Sequence, residues 1–407
     1  METIKTAIIG GGAAGLFLAT SLANENQPAI LFERGERLGR KLSATGNGQG
    51  NISNVNLSLA RYFCVEKNAE TFPLQKAIER YGTESLTAFF HSLGVLVQAD
   101  ERGRMYPTSR QASSLTDALR KRLEHSCVET RLNTYITGLQ KSGAKFLLTY
   151  LSPDGERKIL AERVVLCTGG KAAKNFGTDG SAYALAERLG HRKTALYPSL
   201  VQLKTKTNDI KTLKGIRVNG AGVKAYLGEK QVCSLIGDVI FTDFGVSGDG
   251  VFRASAFLTA EEQCERILSL DFLPTVDEKS LAKFIDEKRQ RVACPKEELL
   301  CGIINNQIAR VIAKRCEGKT ERYAKELKNF RLEITGSLGF DYAQVTKGGV
   351  PLSEVDGRFE SRKVKGLYFA GEILDVDGEC GGFNLHFAYA SACTVAQALI
   401  DKQRGQV

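Results

Sequence analysis

The strongest constraint on this chain lies in its first 33 residues. An apolar run at residues 4–9, Ile-Lys-Thr-Ala-Ile-Ile, reads as a short buried strand and is followed at once by Gly10-Gly11-Gly12-Ala13-Ala14-Gly15 and an apolar helical stretch to about Asn24. A second strand, residues 28–32, ends at Glu33, 18 residues after Gly15. Strand, glycine turn, helix and strand at this spacing make the βαβ unit that binds dinucleotides. Gly10 permits the turn, Gly12 lets the backbone approach a pyrophosphate, and Gly15 lets the helix pack closely. The free N–H groups and the dipole of the helix N-terminus favour the phosphates. Glu33 suits the two hydroxyls of a ribose and repels the extra phosphate of NADP, so the adenosine of FAD or NAD is the expected ligand.

Length and composition set the frame around this unit. At roughly 150 residues per domain, the 407 residues hold two or three domains. Hydrophobic residues at 43% and charged residues at 25% are ordinary for a globular chain and speak against long disorder. Lys+Arg 56 against Asp+Glu 46 leaves +10, a surface that favours acidic partners or substrates. Ten cysteines without a CxxC pair, and a start lacking a basic region before its apolar run, predict a reducing, cytoplasmic location. Residues 8–23 are glycine-rich and too short to span a bilayer, so no membrane segment is expected. The four histidines (His91, His125, His191, His386) fall in no zinc-ligand spacing, so no metal is expected.

The pattern is largely helical over residues 74–125, with a strand-like break at 95–107. Alternating segments at 128–139, 145–150 and 161–167, with the turn Ser152-Pro153-Asp154-Gly155, predict a β-meander. Residues 200–270 and 331–347 read as strand-rich, with turns at Asn219-Gly220 and Leu227-Gly228, and 277–328 as charged and helical. Residues 366–371 then form a short apolar strand closed by glycine, and a helix is expected from Asn384 to Ile400. The predicted fold is α/β, with a dinucleotide-binding domain in two parts, 1–195 and 349–407, a β-rich domain at 196–275 and 331–348, and a helical insertion at 276–330.

Two further segments carry chemistry. Residues 34–51, opening with Arg34 and ending RLGRKLSATGNGQGN, join basic residues to small, hydroxyl and amide residues, which suits a loop along a pyrophosphate and the polar edge of a ring. Residues 371–385, GEILDVDGECGGFNL, place an acidic residue before a glycine pair and a helix start. A carboxylate there can bind ribityl hydroxyls, and the helix N-terminus can offset negative charge on the pyrimidine edge of reduced flavin.

These segments, with Leu166-Cys167-Thr168-Gly169-Gly170 and the FTDFGVSG run at 241–248, resemble the BaiN-type flavoproteins, bacterial NAD(P)/FAD-dependent oxidoreductases, nearly end to end. The resemblance implies a glutathione-reductase-like FAD domain interrupted by a β-rich domain and a small helical one. It implies that Gly10, Gly12, Ala13, Ala14, Gly15, Glu33 and Arg34 surround the adenosine diphosphate, with Val128 at the adenine and Thr168, Gly169 and Gly170 near the phosphates and sugar. Lys41, Leu42, Thr45, Gly46 and Asn47 would follow the flavin and ribityl chain, joined by Gly371, Glu372, Asp377, Gly382, Asn384 and Leu385. The chain departs from its relatives at Gln49-Gly50, usually Arg-Cys, at Asp243, often His, and at His386, often Gln.

Without a CxxC or CxxxxC pair a disulfide reductase is not expected, and without a second GxGxxG there is no dedicated nicotinamide domain. NAD(P)H as transient donor would therefore visit the flavin face that the substrate uses. The leading expectation is reduction of an activated C=C bond in a small molecule such as an enone, with His386 and Tyr389 as candidate proton donors and Cys380 as a third. Alternatives are reduction of uracil to dihydrouridine in RNA, suggested by the net charge and by runs such as Arg120-Lys121-Arg122, and an amine oxidase or redox-sensing flavoprotein.

Overall fold

Strand β1 (Thr3–Ile9), helix α1 (Ala13–Asn24) and strand β2 (Ala29–Phe32) open the chain in the computed structural model, which describes residues 1–66, 70–261 and 263–405. Residues 14–20 of α1 are all buried, as an all-round apolar helix requires. β1 pairs in parallel with β2, Ile8 opposite Leu31, and on its other side with strand Gly155–Leu166, Ile8 opposite Val165. Such buried parallel pairing explains the unbroken apolar run Ala7-Ile8-Ile9.

The chain divides into two compact units, Met1–Tyr197 with Val345–Val407, and Pro198–Gln344. In the first, a seven-stranded sheet runs from Val128–Arg131 through β2, β1 and Gly155–Leu166 to Lys145–Ser152 and Tyr135–Ser142, while Leu367–Phe369 pairs in parallel with the end of Gly155–Leu166. Strand Gly155–Leu166 therefore serves twice. Its first half closes a hairpin with Lys145–Ser152, and its second half lies at the centre of the parallel sheet. The segment expected as one meander strand at 128–139 is two strands, and the first leaves the meander to pair in parallel with β2. The chain breaks at Asn133, whose φ is 49°, where the Asn133 and Thr134 N–H groups donate to the carbonyls of Gly35 and Glu33.

The second unit is built on a closed barrel of six strands, Leu203–Thr205, Gly245–Ser247, Lys230–Phe241, Arg217–Leu227, Arg266–Asp271 and Phe330–Ser337. Helices Glu278–Arg291, Asn306–Arg315 and Tyr323–Lys328 lie between its last two strands in sequence and share its core, which includes Phe241, Leu268, Ile312 and Phe330. Two local readings are corrected. Asn219-Gly220 is a bulge inside strand Arg217–Leu227, with the Gly220 N–H held by Asp238 Oδ1 at 3.0 Å. Residues 249–258, read as strand-rich, are the helix Asp249–Leu258: Val251, Ala254, Ser255 and Leu258 bury one helical face, a short signal flanked by stronger strand signals. Among the described residues no helix is long and apolar enough to cross a membrane.

Candidate functional site

The glycine turn after β1 is shaped by close approach. Gly10 has φ 103°, and a Cβ there would lie 2.7 Å from the Cys167 carbonyl oxygen; one on Gly15 would lie 1.9 Å from the Gly10 oxygen. Glycine at both positions lets α1 start directly on the end of the sheet. Gly12 differs, because a Cβ there would meet nothing within 4 Å. It caps α1, and among the described residues no side chain takes a hydrogen bond from the first turn, so those N–H groups keep their capacity to bind an anion. Glu33 stands beside it. Its Oε2 accepts from the Gly11 N–H and its Oε1 from the Gly35 N–H, each at 2.7 Å.

On the neighbouring strand end, Gly169 takes φ 70° and the buried Thr168 Oγ1 has no hydrogen-bond partner among the described residues. Gly170 comes so close to Thr346 that a Cβ would lie 2.3 Å from its Oγ1. That hydroxyl accepts from the N–H groups of Lys171 and Ala172 at 2.7 and 2.9 Å, and the Thr346 N–H donates to Glu372 Oε1 at 2.8 Å. Lys41 Nζ holds the other oxygen of Glu372 at 2.8 Å. Thr346 thus joins three segments singled out by sequence, although its own segment carries no motif.

Arg34 pairs with Asp179 at 2.9 Å and also donates to the Gly177 carbonyl. Burial pushes the Asp179 carboxyl up, but Arg34 and Ser181 overcome it and hold it at about 2. Leu42 and Val128 are buried by packing, Val128 opposite Ala29 in the sheet, while Thr45 Oγ1 donates to the Leu42 carbonyl at 2.7 Å. Gly46 and Asn47, with φ 58° and 55°, turn the chain back in the left-handed region.

The late segment closes over the same ground. Gly371 has φ 77° and passes 2.8 Å, in terms of a notional Cβ, from the Ala14 side chain, with its N–H on Ser391 Oγ at 3.0 Å. Asp377 is buried, 3.8 Å from Lys347 Nζ. Asn384 locks the approach to helix Phe383–Gln403, accepting from the Gly378 N–H at 2.8 Å and donating to the Gly378 carbonyl at 2.7 Å. Gly382, φ 101°, caps that helix without a side chain, and Leu385 in its first turn is half-buried.

His386 and Tyr389 are placed by the same helix. His386 is fully buried, its Nδ1 2.8 Å from Ser53 Oγ, and burial pushes its imidazole down to about 4. Tyr389 lies among Phe17, Tyr81 and Phe89 with its hydroxyl 2.7 Å from Ser85 Oγ, and burial drives its phenol far above the usual range. At neutral pH the first is an uncharged imidazole and the second a protonated phenol in an aromatic core. Cys380 is half-buried. In the second unit, Asp243 is exposed and pairs with Lys214 at 3.1 Å.

The first unit meets the demands of FAD: an uncapped N-terminus behind a glycine that leaves room, a carboxylate at the end of β2, and a buried hydroxyl at Thr168 that lacks a partner. Fold and site together define a flavoprotein oxidoreductase with a Rossmann-type FAD-binding domain. Residues 4–398 match the HI0933-like protein Rossmann domain, and the chain belongs to that family. It is 33% identical over 418 residues, 98% of this chain and 99% of the relative, to the 3-dehydro-bile acid delta(4,6)-reductase of Clostridium scindens. It is 26% identical to the ribosomal RNA dihydrouridine synthase of Escherichia coli, over 98% of this chain and 99% of the relative. Among solved structures, the 3-ketosteroid delta1-dehydrogenase of Sterolibacterium denitrificans shares the fold with a TM-score of 0.57 at 12% identity, covering 99% of this chain and all 100% of the other. The 3-ketosteroid-delta4-(5alpha)-dehydrogenase of Rhodococcus jostii shares it at 0.53 and 16% identity, covering 98% and 97%.

Proposed function

We propose that the protein uses FAD to pass a hydride from NAD(P)H to one carbon of an activated C=C bond, the other carbon taking a proton from water, in an enone or ketosteroid-like small molecule. The observation that carries this reading is the end-to-end 33% identity to a reductase of 3-dehydro-bile acids. FAD, when bound, supplies the redox chemistry, and the chain supplies orientation and electrostatics. In this reading the first turn of α1 takes the diphosphate and Glu33 exchanges its backbone donors for ribose hydroxyls. Thr346 and Lys41 hold Glu372 ready for the ribityl chain. The uncapped start of helix Phe383–Gln403 directs its N–H groups at the ring edge that gains charge. His386, neutral and held on Ser53, sets the position of that helix start, and Tyr389 packs it; neither is assigned the proton transfer.

Anaerobic stopped-flow spectroscopy tests the reading. NADH or NADPH should bleach the flavin rapidly, and a 4-en-3-one steroid should restore its colour under nitrogen. Bleaching by an amine alone would instead mark an oxidase. Reduction of uracil in ribosomal RNA is a second reading, favoured by the 26% identity to a ribosomal RNA dihydrouridine synthase and by the net charge of +10. RNA binding should then fall steeply with salt as counterions are released, and a flat profile would remove it.

A further inference from the structure

A small three-stranded sheet in the first unit joins Ser53–Asn54, Arg104–Pro107 and Val97–Ala99. Its register sets Ser53 opposite Met105, Asn54 opposite Arg104 and Gln98 opposite Tyr106. Cross-strand partners share a face and neighbours alternate. Ser53 therefore lies on the face turned to His386, while Asn54, Arg104 and Tyr106 share the other. This second face adjoins the glycine pair before the last helix, because Asn54 Nδ2 donates to the Gly381 carbonyl at 3.1 Å and a Cβ on Gly381 would lie 4.0 Å from Arg104 Cγ.

Two arginines stand over Tyr106 on that face, and they differ. Arg104 is neutralised by Asp100 at 2.7 Å. Arg110 lies closer, its guanidinium carbon 4.1 Å from the Tyr106 ring centroid, and forms no ion pair among the described residues. Its backbone sits at φ 53°, a region arginine rarely adopts, in a turn closed by its N–H to the Pro107 carbonyl at 2.9 Å. The turn is pressed against the loop that follows Lys41: the Ala112 N–H donates to the Gly48 carbonyl at 2.7 Å, and a Cβ on Gly50 would lie 3.0 Å from Ala112 Cα. A strained turn thus holds one half-buried cation over a tyrosine face, its guanidinium N–H groups without a hydrogen bond or ion pair among the described residues, between the loop and the glycine pair that the FAD reading puts at the flavin. Stacking fixes the plane of a guanidinium and leaves its edge for a carboxylate.

We propose that Arg110, stacked on Tyr106, binds a carboxylate carried by the substrate, so that the enone reduced here has an acidic tail. This rests on the C=C reduction proposed above. The test compares a 4-en-3-oxo steroid carrying a side-chain carboxylic acid with its methyl ester, binding each to the FAD-loaded protein and following the shift in flavin absorbance. The parent should bind the acid about ten- to hundredfold more tightly than the ester, the span of one charge-assisted hydrogen bond. Arg110→Gly should abolish that preference while leaving the ester's affinity unchanged, and Arg110→Lys should retain part of it. Glycine is at ease at this φ, so Arg110→Gly should melt at or above the parent's temperature, the opposite of what a merely structural arginine would give. Absence of an acid preference in the parent, whether both probes bind or neither does, overturns the proposal. So does loss of both affinities together in Arg110→Gly, or ribosomal RNA displacing the acid in an Arg110-dependent way. Turnover of the neutral ester in the same preparation reports separately on C=C reduction.

Discussion

Glu33 shows how one side chain serves both the empty turn and its ligand. Its two oxygens already hold the N–H groups of Gly11 and Gly35 at 2.7 Å, so Glu33→Ala removes a ribose acceptor and also loosens the turn. FAD affinity should fall by about 1 to 3 kcal/mol, the range for a charge-assisted hydrogen bond and the hydroxyls it leaves unpaired. Titration of the apoprotein with FAD, read by quenching of flavin fluorescence, measures this, and an unchanged affinity would count against Glu33 as the ribose ligand. His386 makes a different prediction. Burial lowers its imidazole from 6.5 to about 4, so between those pH values the unfolded chain takes up a proton that the folded chain refuses. The stability it confers is complete above pH 6.5, drains away as the pH falls toward 4, and amounts to about 3 kcal/mol. His191 is also lowered by burial, so the informative quantity is the difference between the parent and His386→Gln in urea unfolding at pH 7.5 and 4.5. Equal pH slopes for the two proteins would show that His386 does not titrate in this way.

At the scale of elements, the site depends on turns brought together from distant parts of the chain. Thr346→Val leaves the N–H groups of Lys171 and Ala172 without their acceptor and should cost the apoprotein about 1 to 3 kcal/mol in urea unfolding, with Thr346→Ser close to the parent. Gly382→Val fails for a backbone reason. At φ 101°, with a Cβ 2.3 Å from the Ser53 carbonyl oxygen, it should lose about 3 kcal/mol or more of stability, and a thermal midpoint within a degree of the parent's would refute this close approach. The glycine turn, Glu33 and the late glycine pair were legible in the sequence because their chemistry depends on local backbone geometry. Thr346 was not, since an isolated threonine on a short strand becomes informative only when the 171–172 backbone and Glu372 meet it in space. The helix Asp249–Leu258 was missed because one amphipathic face of ten residues is outweighed by strands on both sides. The partner of Val128–Arg131 was hidden for a related reason, because period-2 alternation marks a strand without saying which neighbour it takes.

For the whole molecule, the two units keep separate hydrophobic cores, one including Ile8, Phe17 and Leu399, the other Val223, Phe241 and Ile312. All the residues assigned to FAD belong to the first unit. Calorimetry should therefore resolve two transitions, and FAD at a hundred times its dissociation constant should stabilise one of them by about 2.7 kcal/mol. A single transition that moves as a whole would show instead that the units melt together. The first unit is also discontinuous, since Lys41 waits for Glu372, α1 for Gly371, and Ser53 for Gly382 and His386. On the ribosome, the strands and helix that open the chain emerge well before these partners, while the whole of Pro198–Gln344 is still to be made, an interval on the order of ten seconds. The nascent first unit must wait through it with the face of α1 that packs on helix Phe383–Gln403 uncovered, so the site assigned to FAD is complete only once residues 371–386 have been made.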